Sequence, residues 1–537
     1  MAKGKNIVSL LLIFFFLLTA ACGCREQGVE PHREDGTAIV DYTYFRVGLM
    51  EDIAFLDPIG VTTYGELTVA RTLYETLFII EPDTERLIPL LVEHWEVSPD
   101  RQIYTFRLRK DIKFHSGRDL TAEDVKFSWQ RVVAYGSPDD LAGKFMLIGG
   151  ARDYAEGRTN QIAGIQVIDP HTLQVSLTQP SGQFLWALAH PGAAIVDMQV
   201  VQLVGDQYGK PGTYQSPAVV LAGTGPFSIV EWIGGYQVTL QAFEQYHGET
   251  AQIDRLEFSQ YPDLDALLMD FQAEYLDLVI APGLVEEAQV AEDRVLSLPG
   301  TEFYYLGMNP KIKPFDDPQV RKAVGFSLDR VFLAEHNRGV PWEGLLPPSL
   351  LGNSSLPAGY RYDSPEVRDL LQNEEGEKVL EEPLTLTVPE GEEWASLAGQ
   401  VQSQLENAGF HVNLEILPSA QYQQAVKNGQ AGFFLTKWQY KLPAPEFFLE
   451  SRFASWGTAN WSGFAHPVVD DRLLFIQNIA ESERERLAGL LEIEELVQEE
   501  AVMITLFAVK RCILVQENVQ GLELLPLGLV AWEKCFR

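Results

Sequence analysis

The chain has 537 residues, 41 Lys and Arg against 75 Asp and Glu, and a formal net charge of −34. Such an excess of acid excludes a nucleic-acid binder, whose phosphate contacts need Lys and Arg. An apolar content of 46% and an aromatic content of 11% supply large packed cores, and this length exceeds what one core supports, so two or three lobes are expected.

Lys3 and Lys5 precede an apolar run, Ile7–Leu18, and then Thr19-Ala20-Ala21-Cys22. A basic start, a short apolar stretch and small residues before a cleavage point make a secretory leader. The run of about 12 residues falls short of the roughly 20 that span a bilayer. Small residues directly before Cys22 match a bacterial lipobox, although Thr19 stands where Leu is usual. The expectation is a signal peptide over 1–21, a lipidated Cys22, a linker over 22–39, and an extracytoplasmic protein held on a membrane by its lipid, in a periplasm or on a cell surface. The leader carries two of the 41 basic residues and none of the 75 acidic ones, so the mature net charge would be −36. No later apolar stretch approaches 18 residues.

Downstream, strand-like and helix-like segments alternate. Arg101–Leu108 alternates apolar and polar residues as a strand does. Thr121 opens a helix through Val125, Phe127, Trp129 and Val133, with Asp124 at the capping-box position. Val238-Thr239-Leu240 belongs to a strand. Asp316-Asp317-Pro318 caps a helix through Val320, Ala323, Val324 and Phe326. Trp394–Asn407 reads as an amphipathic helix stopped by Gly409, and His411–Ile416 alternates after it as a strand, which together make an α/β unit. The acidic stretch Glu374–Glu382 reads as an exposed loop or helix end. Cys512 and Cys535, 23 residues apart, allow either a disulfide, which export permits, or two buried thiols.

Motifs of catalysis are missing. The chain has no G-x-S-x-G, H-E-x-x-H, P-loop or paired C-x-x-C, and its His residues are scattered. Paired carboxylates such as Asp139-Asp140, Asp316-Asp317 and Asp470-Asp471 stand where helix capping accounts for them. No enzyme, cofactor or metal is therefore expected.

Five blocks resemble the large peptide-binding class of extracellular solute-binding proteins, the receptors of ABC importers for oligopeptides, dipeptides, nickel and some sugars. They are Leu56-Asp57-Pro58 with Arg71–Leu77; Leu90–Asp100 continuing through Tyr104–Gly117 and Leu120–Trp129; Gly223–Phe227 with Glu231-Trp232; Tyr305–Asn309 with Pro314–Ala323 and Leu328-Asp329-Arg330; and Asn460–Phe464 with Val469-Asp470. The second block is the most specific. Gly223 and Gly225 are read as allowing a tight chain path where the lobes meet.

The resemblance implies an α/β, two-lobed periplasmic-binding-protein fold of the Venus-flytrap type, in its large form with an extra inserted domain. The first lobe would comprise 40–62, 180–300 and 505–537, the inserted domain 63–179 and the second lobe 301–504. It further implies a monomer that binds a peptide or related small solute between the lobes, closes by hinge motion and presents the closed form to an ABC permease. A ligand sensor or chaperone of the same fold, and a receptor for a sugar, an anionic compound or a metal chelate, are the alternatives. Ligand contacts are expected at Trp438, Tyr440, Lys441, Trp456 and Asn460, with Trp461 in the core.

Oligopeptide receptors of this class usually carry Trp-x-x-Asp-Tyr-x-x-Pro, whose Asp pairs with the peptide α-ammonium. The corresponding stretch is Trp438-Gln439-Tyr440-Lys441-Leu442-Pro443-Ala444-Pro445. The acid is replaced by Lys441, which would repel an ammonium. Either a peptide is held differently, or the ligand offers an anion or hydroxyls.

Overall fold

Apolar runs with a two-residue period fold here into two large sheets and one small one. The computed structural model describes residues 42–81, 86–135, 141–212, 221–283, 294–298, 301–346, 359–362, 364–371, 382–478 and 483–537, all within one unit, Tyr42–Arg537. The leader, Cys22, the linker over 22–39 and the acidic positions 374–381 lie outside the described residues.

The first large sheet runs, edge to edge, Val295–Leu298 (β12), Arg511–Val515 (β19), Leu278–Pro282 (β11), Tyr44–Leu49 (β1), Arg255–Gln260 (β10), Gln237–Ala242 (β9) and Phe227–Ile233 (β8). Only β1 pairs in parallel, with β10 and β11. The second runs Gly339–Pro341 (β14), Met503–Val509 (β18), Glu302–Met308 (β13), Phe433–Gln439 (β17), Leu384–Pro389 (β15) and Val412–Leu417 (β16). The small sheet is Val92–Val97 (β4), Ile103–Leu108 (β5), Thr172–Ser176 (β7) and Ile165–Asp169 (β6), beside a ribbon of Phe78–Ile80 (β2) and Leu87–Pro89 (β3).

Capping chemistry sets the helix that leads from the first sheet. Thr63 and Glu66 form a reciprocal capping box at the start of the helix Tyr64–Leu73. Its Leu67, Val69, Ala70 and Leu73 are buried in the core of the first sheet with Phe45, Val47 and Trp532. This packing puts the helix with the first lobe, although the inserted domain was expected from residue 63. The small sheet's core begins at Leu77 and gathers Phe106, Trp129 and Phe145, and it also takes in Phe184, Leu188 and Ile195, which were assigned to the first lobe. Apolar residues at 180–195 look alike in sequence whichever core they enter, so only packing decides. Gly223 and Gly225 press on that helix's last turn: a Cβ on them would stand 1.9 Å from the Leu73 carbonyl oxygen and 2.4 Å from that of Thr72. Their tight path lies where the first lobe meets the inserted domain, since the Gly223 carbonyl also accepts the His115 N–H at 2.9 Å.

The helix over 392–407 starts at Glu392, two residues ahead of Trp394, because Gly391 (φ +134°) turns the chain there. Leu397, Ala398, Val401 and Leu405 form its buried stripe, and Gly409 (φ +102°) ends it. The strand expected over 101–108 begins at Ile103, since Arg101 takes a left-handed turn (φ +55°).

The chain passes between the two large sheets twice. It leaves β12 after Leu298 and enters β13 at Glu302; it returns from β18 to β19 across Lys510 alone. The return was placed after 504. Residues 501–509 are apolar except for Thr505, which is buried, and β18 keeps all of Met503–Val509 in the second sheet because both faces of that strand are covered.

Cys512 and Cys535 are not joined. Successive residues of β19 face opposite sides of the sheet: Cys512 packs with Phe271 and Leu276 on one face, while Cys535 sits in the core on the other with Phe45 and Trp532. Burial, then the nearby Glu533 charge, pushes the Cys535 thiol up to about 12. In a chain that starts after Cys24, neither thiol is expected to react with a disulfide reagent while folded, and both should react after denaturation without reductant. A silent denatured protein would instead reveal a disulfide.

Candidate cleft at the meeting of three cores

β17 is buried on both faces and its far end lies at the hinge. Trp438 is opposite Phe303 and Gln439 opposite Glu302, and the Tyr440 N–H donates to the Thr301 carbonyl at 2.8 Å. The chain then turns across the interdomain space. Leu442, Ala444 and Phe447 are buried in the inserted domain's core, whereas Trp438, Tyr440 and Phe448 belong to the second lobe's. The Lys441 Nζ reaches the first lobe and donates to the Val61 carbonyl at 2.8 Å. A small cavity opens here, lined by Trp438, Gln439, Tyr440, Lys441, Phe447 and His190 among others.

Aromatic packing stiffens this wall. Phe448 touches Trp438 and Tyr440 at centroid distances of 5.6 and 5.4 Å. Arg452, buried, lies between the rings of Trp438 (4.4 Å) and Trp461 (3.9 Å). Its Nη1 donates to the Ala459 carbonyl at 3.0 Å. Its Nε, with the indole N–H groups of Trp438 and Trp461, has no hydrogen-bond acceptor among the described residues.

Beyond Phe447 a wide groove separates the inserted domain from the second lobe. Met146, Arg152 and Thr178 line one side, and Glu450, Ser451 and Trp456 the other. Lys144 pairs with Glu450 across it, and Gln477 also donates to Glu450. A Cβ on Gly182 would stand 1.9 Å from the Gln477 carbonyl oxygen, so the two parts touch backbone to backbone.

The hinge carries an ion network. Arg511 donates from Nε and Nη2 to Glu51 at 3.1 and 2.8 Å and from Nη2 to Glu302 at 2.6 Å. Lys437 holds the other Glu302 oxygen at 2.9 Å. Glu51 also accepts the Gly65 N–H at 2.8 Å. Burial opposes every charge here. The pairing outweighs it, keeping the Arg511 pKa above its ordinary value and that of Glu302 below.

The residues expected to touch ligand separate under this geometry. Trp438 and Lys441 line the cavity, as does Tyr440, whose ring is nonetheless mostly core. Trp456 is 45% exposed in the adjoining groove, its Nε1 donating to Glu450 at 3.3 Å. Asn460 clamps its own loop. Its Nδ2 donates to the Ala454 and Phe464 carbonyls at 2.9 and 2.6 Å, and its Oδ1 accepts the Phe464 N–H at 3.0 Å. Trp461 packs on Arg452 as a core residue would. Sequence reading passed over Arg452, Val61, His190 and the hinge trio Glu51, Glu302 and Arg511. Arg452 follows Glu450 and Ser451 within Phe447–Phe453, so no local pattern marks it, and the others carry no signal either. The described residues contain no His, Cys, Asp or Glu cluster fit for a metal.

The model of bacterial extracellular solute-binding proteins, family 5 Middle, matches residues 86–460. The chain belongs to that family. This family 5 protein is 28% identical over 430 residues to the dipeptide-binding protein of Escherichia coli K12, covering 76% of this chain and 78% of that one. It is 25% identical over 505 residues to the glutathione-binding protein GsiB of Salmonella choleraesuis, covering 89% and 92%. Its fold superposes on the substrate-binding domain of an oligopeptide ABC transporter from Bacillus anthracis with a TM-score of 0.74 at 20% identity, covering 92% and 99%. The two large sheets are thus the two lobes of the family 5 fold.

Proposed function

We propose that this family 5 solute-binding protein is the extracytoplasmic receptor of an ABC importer, anchored by a lipidated Cys22 and working as a monomer. It captures a peptide or a related small solute between its lobes, closes over it and hands it to a membrane permease without chemical change. The observation that carries this reading is the segment 438–448, which three parts of the molecule share: its side chains enter the second lobe's core and the inserted domain's core, and Lys441 reaches the first lobe. A solute seated against it would be touched from every side, so binding and closure would be one equilibrium. The names of the relatives, dipeptide-binding and glutathione-binding, support a small amide-bearing solute. Trp438, Tyr440 and Lys441 would form the inner wall, and Trp456 an outer one for a longer solute.

The test is native mass spectrometry of the chain expressed without its leader and recovered from peptide-rich medium. One retained solute per chain, released unaltered on denaturation, is expected. A chain that retains nothing and shows no change of melting temperature with any medium fraction would remove the reading. Membrane-derived protein should begin at a diacylglyceryl Cys22; an unmodified terminus downstream of it would refute the anchor.

A further inference from the structure

A second cavity, of about 120 Å³, lies between the first lobe and the inserted domain. Val61, Ile79, Leu90, Pro226, Val530 and Trp532 give it apolar walls. Among the described residues, none from the second lobe lines it.

Four ionisable side chains share this lining: Arg71, Glu75, Tyr246 and Glu533. Two of them are committed to one another. The Tyr246 hydroxyl donates to Glu75 at 2.8 Å, and His247 Nε2 stands 2.7 Å from the other Glu75 oxygen. The hydroxyls of Thr72 and Thr76 donate to the carbonyls of Val69 and Phe78 at 2.7 and 2.6 Å. Arg71 and Glu533 differ. Among the described residues the Arg71 guanidinium has no hydrogen bond or ion pair, and the Glu533 carboxylate has only its own backbone N–H. Lys534, next along the chain, is held by Glu523 at 2.5 Å.

Burial lowers the Arg71 pKa and raises that of Glu533, and the pull of each on the other offsets this only in part. The two charges thus feel one another without pairing. One offers a fork of free N–H donors and the other free acceptor oxygens. A lone anion on Arg71 would also meet the carboxylates of Glu75 and Glu533, and a lone cation on Glu533 would meet the guanidinium. A molecule with both charges close together satisfies both groups at once. The apolar walls suit an apolar remainder. The volume is below the roughly 150 Å³ that takes a benzene, which leaves room for one small amino acid and none for a peptide.

We propose that this cavity is a second binding site, for the zwitterion of a single small apolar α-amino acid, with its carboxylate on Arg71 and its ammonium on Glu533. The site goes beyond the capture reading above: with no wall from the second lobe, its occupancy does not require closure.

Isothermal titration of the leaderless chain with L-alanine tests it. One equivalent should bind. Propionate lacks the ammonium and L-alaninamide the carboxylate, so each should bind weaker by roughly tenfold or more, the loss of one charge-assisted hydrogen bond. Arg71→Met and Glu533→Gln should each weaken L-alanine to a similar extent, while the probe-free melting temperature holds. Ala194→Leu, which fills the cavity and keeps both charges, should abolish binding. The three probes on the unaltered chain decide the matter even if a variant fails to fold. No binding of L-alanine, equal binding of propionate or L-alaninamide, or L-alanine binding untouched by both charge substitutions would overturn the proposal. In each case solute retained from medium would leave the receptor reading standing.

Discussion

Replacing Arg511 with Met is expected to cost about 3–5 kcal/mol of stability, the usual range when one member of a buried ion pair is removed. The substitution keeps most of the side chain's bulk, so the loss would come from Glu302, 6% exposed, left with Lys437 alone, and from Glu51, left with the Gly65 N–H. Urea titration of the variant would read this as a lower midpoint. Adding Glu302→Leu should restore part of the loss, because the stranded carboxylate is then gone, and the double-mutant cycle should show strong coupling. Additive losses would mean that the two residues do not act as a pair. The acid arm follows from Glu302. Its folded pKa lies below the ordinary 4.5, so its contribution is complete above pH 4.5 and is lost as pH falls through the folded value.

Glu494→Gln should change how stability depends on pH, in the opposite sense. Glu494 is fully buried in the second lobe. Its Oε1 accepts the Leu345 N–H at 2.8 Å and the Gln498 amide at 3.1 Å, while Oε2 has no partner among the described residues. Burial pushes its pKa up to about 7, against 4.5 for a free glutamate. The folded state therefore binds the proton more tightly than the unfolded chain does. The carboxyl is least costly below pH 4.5, and stability falls as pH rises through 7, by roughly 3 kcal/mol at 1.36 kcal/mol per unit. Glutamine keeps the accepting oxygen and carries no charge. Between pH 5 and pH 8 the wild type should lose roughly 2–3 kcal/mol relative to the variant in urea titrations. Parallel pH profiles would sink the assignment.

Local chemistry made much of the fold legible. Gly409 after an apolar stripe at Leu397, Val401 and Leu405 announces a helix and its end, and alternation at 103–108 announces a strand. These signals span a few residues and need no partner. Between Ala501 and Val515 the charged pair Lys510-Arg511 interrupts the apolar residues, a local mark of the change of lobe that the reading passed over. What stayed hidden otherwise depends on distant pairings. Cys512 and Cys535 face opposite sides of a sheet, a fact fixed by the register of β19. Lys441 and Val61, 380 residues apart, meet only because the lobes do. The loop bonds of Asn460 accord with Ser462 and Gly463 close after it, a composition that favours side-chain clamping of a loop.

The return crossing has a mechanical consequence. Two strands abut at Lys510, whose carbonyl accepts the Gly283 N–H at 2.5 Å, and the outgoing crossing lies beside it. Under the proposed closure, a single-residue link at Lys510 would favour a swing of the lobes about one axis over free sliding or twisting. Closure would then have essentially one coordinate. Chemically different solutes that complete the swing would leave the outer surface in the same shape, and a membrane partner could read that shape without reading the cargo.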